Sequence, residues 1–155
     1  MDKMDKQDKQ DKQVIPVGYI KKSVKQLIEE HETNDPYRLA QAMGIDVDEF
    51  PFRRIKGLIL EIAGMITIVL NSNLPDWLKR VVLAHELGHR QLSSQGTGYF
   101  FLTEYTLMES RVEYEANKFA VELLTWGENP EINETLEKFA VRIGVPVEMI
   151  RYKVI

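Results

Sequence analysis

At 155 residues and 44% hydrophobic content, the chain has room for one domain with a modest core. A formal net charge of −4 gives no overall electrostatic footprint for nucleic acid or for an anionic membrane. The absence of cysteine removes disulfides, thiolate zinc sites and a cysteine nucleophile together, so any metal must be held by imidazole and carboxylate.

Residues 1–13 repeat Asp, Lys and Gln with almost no apolar side chain, which predicts a disordered polar leader ahead of a single domain over 14–155. That leader has no apolar core of a secretory signal. The longest apolar run, Ile55 to Leu70, is broken by Lys56, Gly57, Glu61, Gly64 and Thr67 and cannot span a bilayer. A soluble, cytoplasmic protein is expected. Val24, Leu27, Ile28 and His31 recur at helical spacing and predict a first helix over Ser23–Glu32, with His31 as a structural or surface residue. Asn34-Asp35-Pro36 offers an N-cap to a second helix, Tyr37 to Met43, closed by Gly44. Strands are predicted at Ile45–Phe52, Ile55–Ile62 and, after an Ala63-Gly64 turn, Met65–Leu70. Asp76 can cap a helix from Trp77 to about Leu92. Residues 93–108 read as a loop, a long helix follows over Glu109–Trp126, and two short helices from Glu131 are separated at Gly144-Val145-Pro146. Helices, a small sheet, two long helices and short C-terminal helices make an α+β arrangement.

The chemistry concentrates in His85-Glu86-Leu87-Gly88-His89. Residues four apart share one face of a helix, so His85 and His89 can direct both imidazoles at one ion. Glu86, rotated by about 100°, should not ligate; it is placed to take a proton from a water on the metal. The chain has three histidines, and two of them are here. Leu78, Val81, Val82, Ala84 and Leu92 mark the helix as a core element. Gly88 costs about 1 kcal/mol relative to alanine inside a helix, which predicts that a substrate or a strand approaches the backbone there. The donor types suit zinc (Zn2+).

A catalytic zinc needs a third protein ligand, and here it must be a carboxylate. The helix Glu109–Trp126 carries an apolar stripe of Val112, Ala116, Phe119, Ala120, Leu123 and Leu124. Glu113 lies about 60° from the centre of that stripe and Glu115 about 100°. Glu113 is therefore the preferred ligand, with Glu115 as the alternative and Glu109 as a third choice. Asn117 could hydrogen-bond a ligand histidine.

The run Val82 to His89, followed by Glu113 to Leu124, resembles the ImmA/IrrE family of metallo-endopeptidases. Asp35-Pro36-Tyr37, Leu39-Ala40 and Gly44 to Val47 are similar to that family's N-terminal helix and first strand, so the likeness spans about residues 34–126. It implies a zincin-like core, with a small sheet packed on the motif helix and a second ligand-bearing helix. It also implies site-specific cleavage of a partner protein, typically a helix-turn-helix repressor of a mobile element or stress regulon. The Glu113-x-x-x-Asn117 spacing is similar to the Glu-x-x-x-Asp of gluzincins, whose glutamate binds zinc, and favours Glu113 again. One departure is that Leu123-Leu124 leads into Thr125-Trp126-Gly127 where the family often has Met-Pro, which changes the helix exit.

The expected reaction is metal-assisted peptide hydrolysis, with Glu86 as general base and then proton donor to the leaving amine. Met65–Leu70 is expected to be an edge strand to which an extended substrate adds. Tyr99 or Tyr105 is a candidate oxyanion stabiliser. A zinc protein that sequesters a transcriptional regulator without cleaving it is the alternative, against which an intact Glu86 argues. Direct DNA binding through Arg142, Arg151 and Lys153 fits poorly with the acidic chain. The substrate, its scissile bond and the oligomeric state are open.

Overall fold

A computed structural model describes residues 17–92, 98–101 and 110–153 of the chain, so the polar leader at 1–13 lies outside the described residues. The first helix, α1 (Val17–His31), begins earlier than expected. Ile20 belongs to the same stripe as Val24 and Leu27, and all three are buried. Ser23, the expected first residue, is an interior residue of that helix. In α2 (Pro36–Ala42), Asp35 is the N-cap, its Oδ1 accepting from the backbone N–H of Tyr37 at 2.8 Å and of Arg38 at 3.3 Å. Pro36 holds the first helical position, where a missing N–H costs nothing. Gly44, with φ of 71°, turns the chain out of the helix toward the first strand.

Four strands form one sheet: β1 (Asp46–Phe50), β2 (Ile55–Ile62), β3 (Met65–Asn71) and β4 (Gly98–Phe101), in the order β1-β3-β2-β4. β2 and β3 are an antiparallel hairpin turning at Ala63 and Gly64, both at positive φ, and β4 pairs antiparallel to the other side of β2. β1 runs parallel to β3. The expectation that Met65–Leu70 forms an edge is therefore wrong. β3 is an inner strand, and its strongly apolar composition suits that place, with Ile68 and Leu70 almost fully buried. The edges are β1, which carries Asp46, Asp48 and Glu49, and β4, which lies in the stretch read as loop.

The motif helix α3 (Asp76–Leu92) packs on β2 and β3. Gly57 permits this approach, since a Cβ there would lie 2.7 Å from Val82 Cγ1. Residues Val81 to Gly88 are all buried, while Leu78 and Leu92 are only partly so. Along α3 runs α4 (Arg111–Leu124), capped by Ser110, whose Oγ accepts from Glu113 N–H at 3.2 Å. Every residue from Ala116 to Leu124 is buried, because α1 and a C-terminal 3-10 segment (Val147–Tyr152) cover α4 where α3 does not. Val112, expected in the apolar stripe, is 51% exposed; it lies in the first turn, before that cover begins. Lys118 is buried as well, donating to Glu122 Oε1 at 3.3 Å and to the Tyr152 carbonyl at 2.9 Å. A short α5 (Leu136–Ile143), capped by Thr135 and ended by Gly144 at φ 82°, leads into the 3-10 segment. The class is α+β, as expected. No helix among the described residues is long and apolar enough to cross a membrane.

The close approach at Gly88 comes from α4, not from a substrate or a strand. A Cβ at Gly88 would meet Phe119 Cδ1 at 3.0 Å and its Cβ and Cγ at 3.1 Å. Phe119 is fully buried, so its ring would have to shift within the packed core. Gly88→Ala should therefore lower stability despite a helix-propensity gain of about 1 kcal/mol, because overpacking costs about 1–3 kcal/mol. A thermal melt checks this; a raised midpoint would mean that the phenyl ring has room to move.

Candidate metal centre

His85 and His89 project from successive turns of α3 toward α4, their ring centroids 4.6 Å apart and their planes nearly perpendicular. Glu113, in the first turn of α4, meets both. Its Oε2 lies 3.1 Å from His85 Nε2 and its Oε1 2.8 Å from His89 Nε2. One donor atom from each residue can be chosen so that all three lie within 4.8 Å of one another, a group that could hold a metal ion. His85 is fully buried, His89 is nearly so, and Glu113 borders solvent.

The Nδ1 atom of His85 is 2.7 Å from Asn117 Oδ1. A carbonyl oxygen only accepts, so Nδ1 carries a proton, and in the neutral imidazole Nε2 then presents its lone pair toward the Glu113 carboxylate. A proton on Nε2 or a metal cation between the two groups makes this approach favourable. Two imidazole nitrogens and a carboxylate are also a donor set that divalent zinc-type ions accept. The trio fits a metal ion on both counts.

Ionisation follows the same arrangement. Burial opposes the charge on Glu113, but the two imidazoles against it outweigh burial and hold its carboxyl at about 2. Burial pushes the His85 imidazole below its ordinary range, favouring the neutral form that a ligand requires. Glu86 is wholly buried, and neither carboxylate oxygen has a hydrogen-bond partner among the described residues. Burial, with a smaller contribution from the charge of Glu113, pushes its carboxyl up to about 8.

The remaining candidates fall elsewhere. Glu115 turns away from the trio and accepts from Arg111 Nε at 2.8 Å. Glu109 and Tyr105 lie outside the described residues, and Tyr99 is in β4 opposite Leu58, its side chain likewise outside. His31 is on α1 beside Glu30 and takes no part in the group. The C-terminal cations are engaged locally: Arg142 with Glu134 and Glu128, Arg151 with the Tyr152 hydroxyl, and Lys153 with Thr125. One contact near the site has no motif to announce it. Arg90 Nη1 donates to Glu61 Oε2 at 3.2 Å, joining the end of α3 to the β2–β3 hairpin. Its only sequence signal is that Arg90 stands four residues after Glu86.

Residues 40–154 match the model of a peptidase family described as the IrrE N-terminal-like domain. The chain is 36% identical over 143 residues to the "Uncharacterized immunity region protein 2" of Bacillus phage phi105, covering 89% of this chain and 90% of that protein. It is 26% identical over 144 residues to "Metallopeptidase ImmA" of Bacillus subtilis (strain 168), covering 86% and 83% respectively.

An ion held by the trio makes distinct predictions for five variants. Alanine at His85, His89 or Glu113 should abolish stoichiometric zinc measured on the purified protein, whereas Glu115→Ala should retain it. Asn117→Ala should bind zinc about 10–100-fold more weakly in a chelator competition. Equal zinc in Glu113→Ala and wild type would remove Glu113 from the site.

Proposed function

The chain belongs to the IrrE N-terminal-like family of peptidases, and on that premise we propose that it is a zinc-dependent, site-specific endopeptidase acting on a protein in the cytoplasm. His85, His89 and Glu113 hold the ion, and Asn117 fixes the tautomer of His85. Bound there, zinc supplies Lewis acidity, lowering the pKa of water toward neutrality and polarising a peptide carbonyl. Glu86 is the general base: its carboxyl, drawn back to the carboxylate form by the positive charge of a bound ion, takes a proton from the attacking water and returns it to the departing amine.

The observation that carries this reading is the Glu86 carboxylate, buried beside the trio with no donor to either oxygen among the described residues. A buried carboxyl without partners is costly to the fold. Its position is reasonable for a group that exchanges a proton with water and substrate. Binding alone gives no use for it, so hydrolysis is favoured over simple sequestration of a regulator.

The substrate we infer is a helix-turn-helix repressor. The family resemblance implies it, and the immunity-region name of the phage relative points in the same direction. The acidic chain and the locally engaged C-terminal cations favour a protein partner over direct contact with DNA.

Glu86→Gln tests the reading. The variant should keep its zinc and its fold while losing cleavage by about 10²–10⁴-fold. New protein N-termini mapped by mass spectrometry in host lysates should appear with wild type and be missing with the variant, and should fall within one or a few proteins. Identical termini from both would end the role of Glu86. A zinc-loaded, folded wild type that yields no termini under inducing conditions would favour sequestration.

A further inference from the structure

The tip of the β2–β3 hairpin is more apolar than its fold requires. Ile62 is 69% exposed and Met65 is 66% exposed, and they are cross-strand partners flanking the Ala63-Gly64 turn. The turn itself needs only the positive φ of its two central residues. Polar residues beside it would serve the hairpin equally well and would keep the tip in water. Two large apolar side chains stand side by side in solvent there as cross-strand partners.

The position of this tip relative to the metal centre follows from the Arg90–Glu61 ion pair, which ties the hairpin to the end of α3. Arg90 lies one turn beyond Glu86 on the same face of the helix. His85 and His89 turn instead toward α4 and Glu113. The hairpin tip therefore stands on the Glu86 flank of the trio. On the endopeptidase reading, the carbonyl attacked by water activated at Glu86 lies on that flank.

We propose that Ile62 and Met65 form an apolar rim that receives an apolar side chain of the polypeptide substrate close to the scissile bond. The proposal rests on the endopeptidase reading above and adds a specificity element to it. The partner's chemistry follows from the rim: neither Ile62 nor Met65 can satisfy a charge or a hydrogen-bonding group, while both can bury an aliphatic or aromatic side chain. The Arg90–Glu61 tie fixes the rim to the helix that carries Glu86, so grip at the rim also orients the carbonyl to be attacked.

The test uses the full-length, zinc-loaded protein and a proteome-derived peptide library, with cut sites aligned by mass spectrometry. Wild-type cuts should show Leu, Ile, Met or Phe at one fixed position beside the scissile bond. Ile62→Ser/Met65→Ser should cut such peptides at least about tenfold more slowly, with unchanged zinc content and melting temperature. Met65→Lys should move the preference at that position toward Asp and Glu, which a merely structural role would not produce. Unchanged preference and rates in both variants overturn the proposal, including the case in which the substitutions only dissolve a dimer of this chain. If zinc-loaded wild type makes no cut that Glu86→Gln abolishes, the endopeptidase reading fails and the rim falls with it. That outcome is distinct from a loss of preference alone.

Discussion

The contact between the Gly88 backbone and the Phe119 ring sets the distance between the two helices on which the candidate metal centre is built. One supplies His85, Glu86 and His89; the other supplies Glu113 and Asn117. With hydrogen in place of a side chain at position 88, α3 and α4 come close enough for Glu113 to reach both imidazoles and for Asn117 to reach His85 Nδ1. Gly57 does the same on the opposite flank, letting the sheet approach α3 at Val82. Two residues without side chains thus position a site made of long ones. The packing is dense on both sides, so small volume changes there are transmitted to the site.

The polar groups of the centre sit in surroundings that otherwise disfavour them. Burial works against the charge on Glu86 and Glu113, and their surroundings resolve it in opposite directions. Glu113 is ionised because two imidazoles face it. Glu86 has no such compensation and takes up its proton readily. Two carboxyls on neighbouring helices thereby acquire opposite characters, one held as the anion and the other inclined to keep its proton. Further along α4, Lys118 and Glu122 are also buried, but as a mutually satisfied pair with a backbone carbonyl as third member. The contrast is between a buried pair whose charges meet and a buried carboxyl whose oxygens have no partner among the described residues.

The sequence was most informative where a local period or a covalent spacing decides the outcome. β2 could be bounded at Ile55 and Ile62 because a charged segment precedes it and an Ala-Gly turn follows. The His-x-x-x-His spacing placed two imidazoles on one face because the helical pitch leaves no choice. Strand order could not be read this way, since the alternation along Met65–Leu70 says which side chains face inward and nothing about which strands lie alongside. β4 escaped notice because four residues among Ser, Gly and Thr carry too short a pattern. Lys118 looks like a solvated residue in isolation, and only the return of the C-terminal segment buries it. The ranking of Glu113 over Glu115 could be argued on the wheel, but the ion pair that draws Glu115 aside, to Arg111, required a side-chain position to see.

The way α4 is held has a consequence for the order in which the molecule assembles. Asn34, just beyond α1, donates to the Leu123 carbonyl across 89 residues, and Lys118 reaches the Tyr152 carbonyl across 34. The helix bearing Glu113 is thus clasped by segments from near both ends of the chain, whereas the β2–β3 hairpin closes within a few residues. Long loops carry a larger closure entropy and form late. A hairpin can register early during synthesis on the ribosome, but α4 has its full set of neighbours only once residues up to Tyr152 have emerged. The candidate site is in this sense assembled late, from parts that are already present before the Tyr152 segment folds back.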